Sequence, residues 1–152
     1  MTLEEMLKQQ KRIQQKRIQQ KRIQKKRIQK KRSHPDDEEH RIQCSCVRWF
    51  SLQYPQLKGR LFAVPNGGRR DAVTAGKLKA EGVVAGVADL ILLKSNSFYG
   101  ALLVEMKTAS GRQSQSQKSW QNLVCYSGEY KYVLCRSLDD FMREVNDYLT
   151  ND

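Results

Sequence analysis

Two apolar runs, Val87 to Leu93 and Ala101 to Met106, flank the polar stretch Lys94-Ser95-Asn96-Ser97-Phe98-Tyr99-Gly100. Runs of this length on either side of a turn-forming segment predict an antiparallel hairpin. Side chains alternate faces along a strand, so Leu102, Val104 and Met106 share one side of the second run, while Leu103, Glu105 and Lys107 share the other. An acid and a base therefore stand together on a strand that is otherwise apolar. That side is either solvated or turned toward a polar site. Spacing alone does not decide, because Glu-x-Lys recurs at Glu129-Tyr130-Lys131.

The first run carries its own intrusion, Asp89. Pairing the runs sets Asp89 across from Glu105 and Lys107 at one end of a sheet. Two carboxylates about 4 Å apart repel by roughly 4 kcal/mol at an effective dielectric near 20. Lys107 offsets part of this, and a divalent cation offsets more while bringing chemistry with it. Oxygen donors of this kind favour Mg²⁺ or Mn²⁺, which keep several waters and accept substrate phosphate oxygens. The expected reaction is attack of water on a phosphodiester. Lys107 is placed to orient or deprotonate that water, or to hold a non-bridging oxygen.

The remaining elements surround this hairpin. Ser33-His34-Pro35 followed by four acids is a helix start, and Ile42, Cys46, Trp49 and Phe50 supply its apolar face as far as about Tyr54-Pro55. Arg60 to Val64 reads as a strand entering a turn at Asn66-Gly67-Gly68, and Asp71 to Glu81 as a helix ended by Gly82. Ser114 to Ser127 has Trp120, Leu123 and Val124 at helical spacing; the strand Tyr130 to Cys135 and a helix from about Leu138 to Leu149 follow. The order αβαββαβα predicts one α/β domain with a mixed sheet flanked by helices. Cys44, Cys46, Cys125 and Cys135 lie in apolar segments without metal-ligand spacing and read as core thiols. There is no run of about 18 apolar residues and no apolar N-terminal signal segment, so a soluble, non-secreted chain without membrane contact is expected.

The formal net charge is +12, but it is unevenly spread. Residues 1–33 hold 13 Lys and Arg against Glu4 and Glu5, leaving 15 basic and 14 acidic residues for 34–152. The excess belongs to a tail that repeats Lys-Arg-Ile-Gln-Gln with period five. On a helix, Ile13, Ile18, Ile23 and Ile28 are rotated from one to the next by about 140°, and they form no stripe. The expected organisation is a basic extension over 1–33, a solvated helix or disordered, and a folded domain over 34–152. The extension is either a low-complexity appendage or a non-specific phosphate-binding arm.

Several ordered elements together resemble the virus-type replication-repair nuclease (VRR-NUC) domain of the PD-(D/E)xK superfamily. They are Glu39-x-x-x-Gln43, "PNGG" at Pro65 to Gly68, "KLKAEGVVAGVADL" at Lys77 to Leu90, "VEMK" at Val104 to Lys107 and "GRQSQSQKSW" at Gly111 to Trp120. The resemblance covers about residues 36–138. It implies a restriction-endonuclease-like core and a metal-dependent nuclease acting on DNA, with structured or branched replication and repair intermediates such as four-way junctions as substrates. It further implies Asp89, Glu105 and the Met106 carbonyl as the shell of a Mg²⁺ or Mn²⁺ ion, with Glu39 completing the acidic site. Lys107 would be base or charge stabiliser, and Gln117 would line the pocket. Asn66, Arg69, Arg70 and Lys77 would flank the cleft and meet the DNA backbone. A homodimer and a bacterial or phage-infected cytoplasm are likewise implied. Ala88 stands where the family has proline, a position that shapes backbone and supplies no ligand.

On the residues alone, alternatives stay open. Glu39 is equally a first-turn acid facing the helix dipole, and Glu38 lies nearly as close to the apolar face. Asn66 and its glycines would ordinarily mark a turn, and Arg69, Arg70, Lys77 and Lys79 a solvated surface. A rival reading is a non-catalytic nucleic-acid-binding protein that uses the basic arm. Another is an interaction module indifferent to cations.

Overall fold

The computed structural model describes residues 9, 12, 14–23, 35–65 and 72–150. The chain separates into two compact units, Met1–Glu38 and Glu39–Asp152. In the first, residues 14–23 are helical with exposed side chains, Ile18 and Ile23 among them. The helix caps expected at Ser33 and the turn at Asn66 to Gly68 lie outside the described residues.

The second unit is built on a four-stranded sheet in the order β1-β2-β3-β4, with β1 Leu61–Ala63, β2 Leu90–Leu92, β3 Ala101–Met106 and β4 Tyr130–Cys135. The expected hairpin is present: β2 and β3 pair antiparallel, Leu90 with Val104 and Leu92 with Leu102. β1 adds antiparallel to β2, and β4 pairs parallel to β3 from Ala101 with Tyr130 to Met106 with Cys135. A parallel pair needs a crossover, which here contains a helix. The sheet is therefore mixed, as expected.

Helices α1 Pro35–Gln53, α2 Ala72–Ala80, α3 Gln115–Cys125 and α4 Leu138–Thr150 accompany the strands, with a 3₁₀ turn at Pro55–Leu57. One face of the sheet, with Leu90, Leu92, Leu102, Val104 and Met106, joins Cys46 and Phe50 of α1 and Phe141, Val145 and Tyr148 of α4 in the core. Spacings of four and three residues put that α4 triad on one stripe. Trp49 meets Phe141 edge to face at 6.0 Å between ring centres. The Tyr148 hydroxyl donates to the Lys94 carbonyl at 2.6 Å, pinning the β2–β3 connection to α4.

Two expectations fail. Cys46 and Cys135 are buried, Cys125 is half-buried, but Cys44 is exposed, its Sγ 3.6 Å from His40 Nε2. It lies two residues from Cys46, on the outer side of α1. Leu123 is also exposed; the half-buried positions of α3 include Gln117, Trp120, Gln121 and Val124. The inward stripe of that helix runs 117, 120/121, 124, and it mixes Gln117 and Gln121 with Trp120 and Val124.

Candidate active site

Glu105 sits on the face of β3 opposite the core and is completely buried. A solvated strand face is thereby excluded. Its Oε1 accepts from Lys107 Nζ at 2.7 Å and from Gln117 Nε2, and its Oε2 accepts from the Tyr132 hydroxyl at 3.2 Å. The second Glu-x-Lys behaves otherwise: Glu129 is exposed and Lys131 pairs with Glu144 at 3.0 Å.

Carried one residue beyond Leu90 and Val104, the hairpin register puts Asp89 opposite Glu105. Asp89 is held from both sides. Its carbonyl accepts from the Val64 N–H at 2.9 Å, and its Oδ2 accepts from the Met106 N–H at 2.8 Å. Burial pushes the Glu105 carboxyl up to about 7, with the Asp89 charge adding to it and the Lys107 and Tyr132 bonds opposing. Burial pulls Lys107 down, yet the hydrogen bond and charge of Glu105, with Glu39 and Asp89 behind them, leave it above the ordinary lysine value. Burial, with the charge of Glu105 next, likewise raises Tyr132.

Of the two first-turn acids, Glu39 reaches the site and Glu38 is exposed. Glu39 Oε1 accepts from the Thr108 N–H at 3.1 Å and lies 3.9 Å from Lys107 Nζ. The Thr108 loop is itself anchored by Arg136, whose Nη1 donates to the carbonyls of Thr108 at 2.6 Å and Gly111 at 2.8 Å. Glu39 thus flanks Lys107 on the side of the loop. It does not close a cage with Asp89 and Glu105: among the described residues no three His, Cys, Asp or Glu form a group able to hold a metal. The donors that do converge are two carboxylates beside the Met106 backbone. Mg²⁺ is commonly held by one or two carboxylates with waters and substrate phosphates, so a buried, under-compensated Glu105 facing Asp89 fits such an ion.

Gln117 is aimed by its own helix. The Ser114 side chain caps α3 by accepting from the Gln117 N–H at 3.2 Å, and Gln117 Oε1 accepts from the Ser114 N–H at 2.7 Å. With the amide oxygen occupied, Nε2 is left for Glu105. The same turn meets the loop leading to Asp89 at Gly86, where a Cβ would lie 2.7 Å from Gln117 N and closer still to the Ser116 carbonyl group.

Of the residues expected at a DNA-facing rim, Lys77 is exposed in the last turn of α2, while Asn66, Arg69 and Arg70 lie outside the described residues. Tyr132, Gln113 and Arg136 were not legible as site residues. Tyr132 is one position in an ordinary alternating strand, and only the parallel register of β4 on β3 brings its hydroxyl to Glu105.

No helix among the described residues is long and apolar enough to cross a membrane. No curated protein matches the sequence. A solved structure described as a VRR_NUC domain protein is similar with a TM-score of 0.65 and 23% identity, covering 75% of this chain and 89% of that one. At that identity the likeness speaks for the fold. Residues 5–139 match the VRR-NUC domain, a nuclease-type family, and the matched span runs through Glu39, the Asp89–Lys107 hairpin and the capped turn of α3. A match over that much of the chain makes this protein a member of the VRR-NUC family.

Proposed function

We propose that the protein is a Mg²⁺- or Mn²⁺-dependent nuclease that hydrolyses DNA phosphodiesters, acting on branched replication or repair intermediates such as four-way junctions. The observation that carries this reading is Glu105: a wholly buried carboxylate, opposite Asp89 and bonded to Lys107 and Gln117. Even with Lys107 as its partner, burial pushes this carboxyl up to about 7, and a buried carboxyl so perturbed beside a second acid is the kind of group that marks a functional site.

When bound by Asp89, Glu105 and the Met106 carbonyl, the cation supplies a nucleophile at neutral pH and offsets the charge that develops on the phosphate. The chain's own groups do the rest. Lys107, bracketed by Glu105 and Glu39, directs its ammonium at the attacking water or a non-bridging oxygen. Gln117 keeps one Glu105 oxygen in a fixed orientation. Lys77, with Asn66, Arg69 and Arg70, contributes to holding the DNA backbone. A homodimer would present two such sites related by two-fold symmetry, suited to opposing strands of a junction. The setting we propose is the cytoplasm of a bacterium or phage-infected cell.

Incubation with labelled linear, flap and four-way-junction DNA tests this directly. Cleavage is expected with Mg²⁺ or Mn²⁺ and none with a chelator, with the junction cut fastest. Equal cleavage in chelator sinks the metal assignment, and a preference for linear duplex sinks the substrate assignment.

The basic repeat makes a separate contribution in this reading. Deleting residues 1–33 removes a net charge of +11. Binding to any DNA should weaken and its salt dependence flatten, since each phosphate neutralised on duplex DNA makes log K fall by about 0.9 per tenfold rise in salt. Turnover at saturating DNA and low salt should survive. Lys107→Ala should do the reverse, keeping salt-sensitive binding and losing hydrolysis. An unchanged salt slope after deletion would show the arm to be passive.

A further inference from the structure

We infer that Tyr132 is the positioning residue that fixes the second oxygen of Glu105, at the end of a hydrogen-bonded chain anchored on α3. The inference rests on the reading of Glu105 as a cation ligand and adds what holds that ligand in place.

The orientation of the side-chain amides gives each bond in the chain a direction. Gln113 Nε2 donates to Gln121 Oε1 at 2.8 Å and to the Tyr132 hydroxyl oxygen at 3.3 Å. An amide nitrogen only donates, so the Tyr132 oxygen accepts, and its single proton is left for Glu105 Oε2 at 3.2 Å. The other oxygen is held by Lys107 and Gln117. Gln117 and Gln121 are one helical turn apart on the inward stripe of α3, so one helix clamps both oxygens, the first directly and the second through Gln113 and Tyr132. Trp120, from the turn between them, packs against the Tyr132 ring at 6.3 Å between centres. No buried side-chain polar atom among the described residues is left without a partner.

A carboxylate held at both oxygens cannot rotate freely about its terminal bond, so the one in-plane lone pair left, on Oε2, keeps a fixed direction. Removing one clamp leaves the charge and the partner Lys107 intact but frees that rotation. Partners of metal ligands typically tune affinity or activity by about 10–100-fold.

Tyr132→Phe is the direct test, because it deletes only the hydroxyl and keeps the ring against Trp120. Mn²⁺ binding by the DNA-free full-length protein, followed by electron paramagnetic resonance, is expected to weaken about 10–100-fold. The cation concentration for half-maximal cleavage should rise in parallel while KM for DNA stays unchanged. Gln113→Ala should move both readouts the same way by a smaller factor, and it does so without touching β4. Mn²⁺ affinity equal to wild type in both variants overturns the inference, even if either melts at lower temperature. Glu105→Gln separates the two levels. If it binds Mn²⁺ normally, the metal reading itself fails; if it loses Mn²⁺ while Tyr132→Phe does not, only the positioning role fails.

Discussion

Asp89→Asn and Glu105→Gln are each expected to lower cleavage by more than about 100-fold while leaving the far-ultraviolet circular dichroism unchanged. Both exchanges are nearly isosteric and remove one negative charge. Asp89→Asn keeps an oxygen for the Met106 N–H, so the bond joining the loop to β3 can persist. Glu105→Gln keeps an acceptor for Lys107, which prevents that buried ammonium from losing its partner outright. The second Glu-x-Lys provides a control within the same chain. Glu129 is exposed, so Glu129→Gln should cleave as wild type does. Full turnover by either hairpin variant, with contaminating nuclease excluded, would refute the assignment of these carboxylates.

Gly86→Ala should be the most damaging small change outside the acidic site. Gly86 has φ 85°, a conformation that L side chains adopt at a cost of roughly 1–2 kcal/mol. Its added methyl would also be driven into the backbone of Ser116 and Gln117, which cannot swing aside as a side chain end could. Strain and overpacking together should destabilise by roughly 2–5 kcal/mol in urea unfolding. Gly82 separates the two contributions, since its φ is 95° but nothing lies within 4 Å of its Cβ position. Gly82→Ala should therefore show only the conformational part. Displacing α3 moves Gln117 away from Glu105, so turnover should fall in Gly86→Ala beyond any loss in Gly82→Ala. Equal losses in the two variants would mean that the close approach is not a constraint on the site.

The hairpin was legible because both its strands are apolar, short and separated by a turn-forming stretch, and because intrusions into such runs are conspicuous. Asp89, Glu105 and Lys107 could be brought together from alternation and hairpin pairing. What Glu105 touches could not. Its burial depends on α3 lying over that face and on β4 pairing beside β3, and their placement follows from a crossover whose geometry has no local signature. Leu123 illustrates the same limit: its apolar side chain and near-helical spacing to Trp120 suggest an inward position, whereas the inward stripe takes Gln117 and Gln121 beside Trp120 and Val124 and leaves Leu123 exposed. Cys44 was misassigned for a simpler reason, since hydrophobic character does not distinguish the two sides of a narrow helix. The choice between Glu38 and Glu39 required knowing where the Thr108 N–H would be.

The two pairings of β3 differ in how much chain they must wait for. Leu90 with Val104 closes across a short connection, while Ala101 with Tyr130 closes only after all of α3 has been traversed. Loop-closure entropy makes the first contact the earlier one to form. In a folding chain the acids Asp89 and Glu105 can thus meet while Tyr132 is still distant. At that stage Gln117 has no sheet face to cover, and Glu105 is open to water on one side. The proposed site is then complete only once β4, the last strand in the chain, has docked, so a partly folded chain holds Asp89 and Glu105 before Glu105 gains its bond to Tyr132.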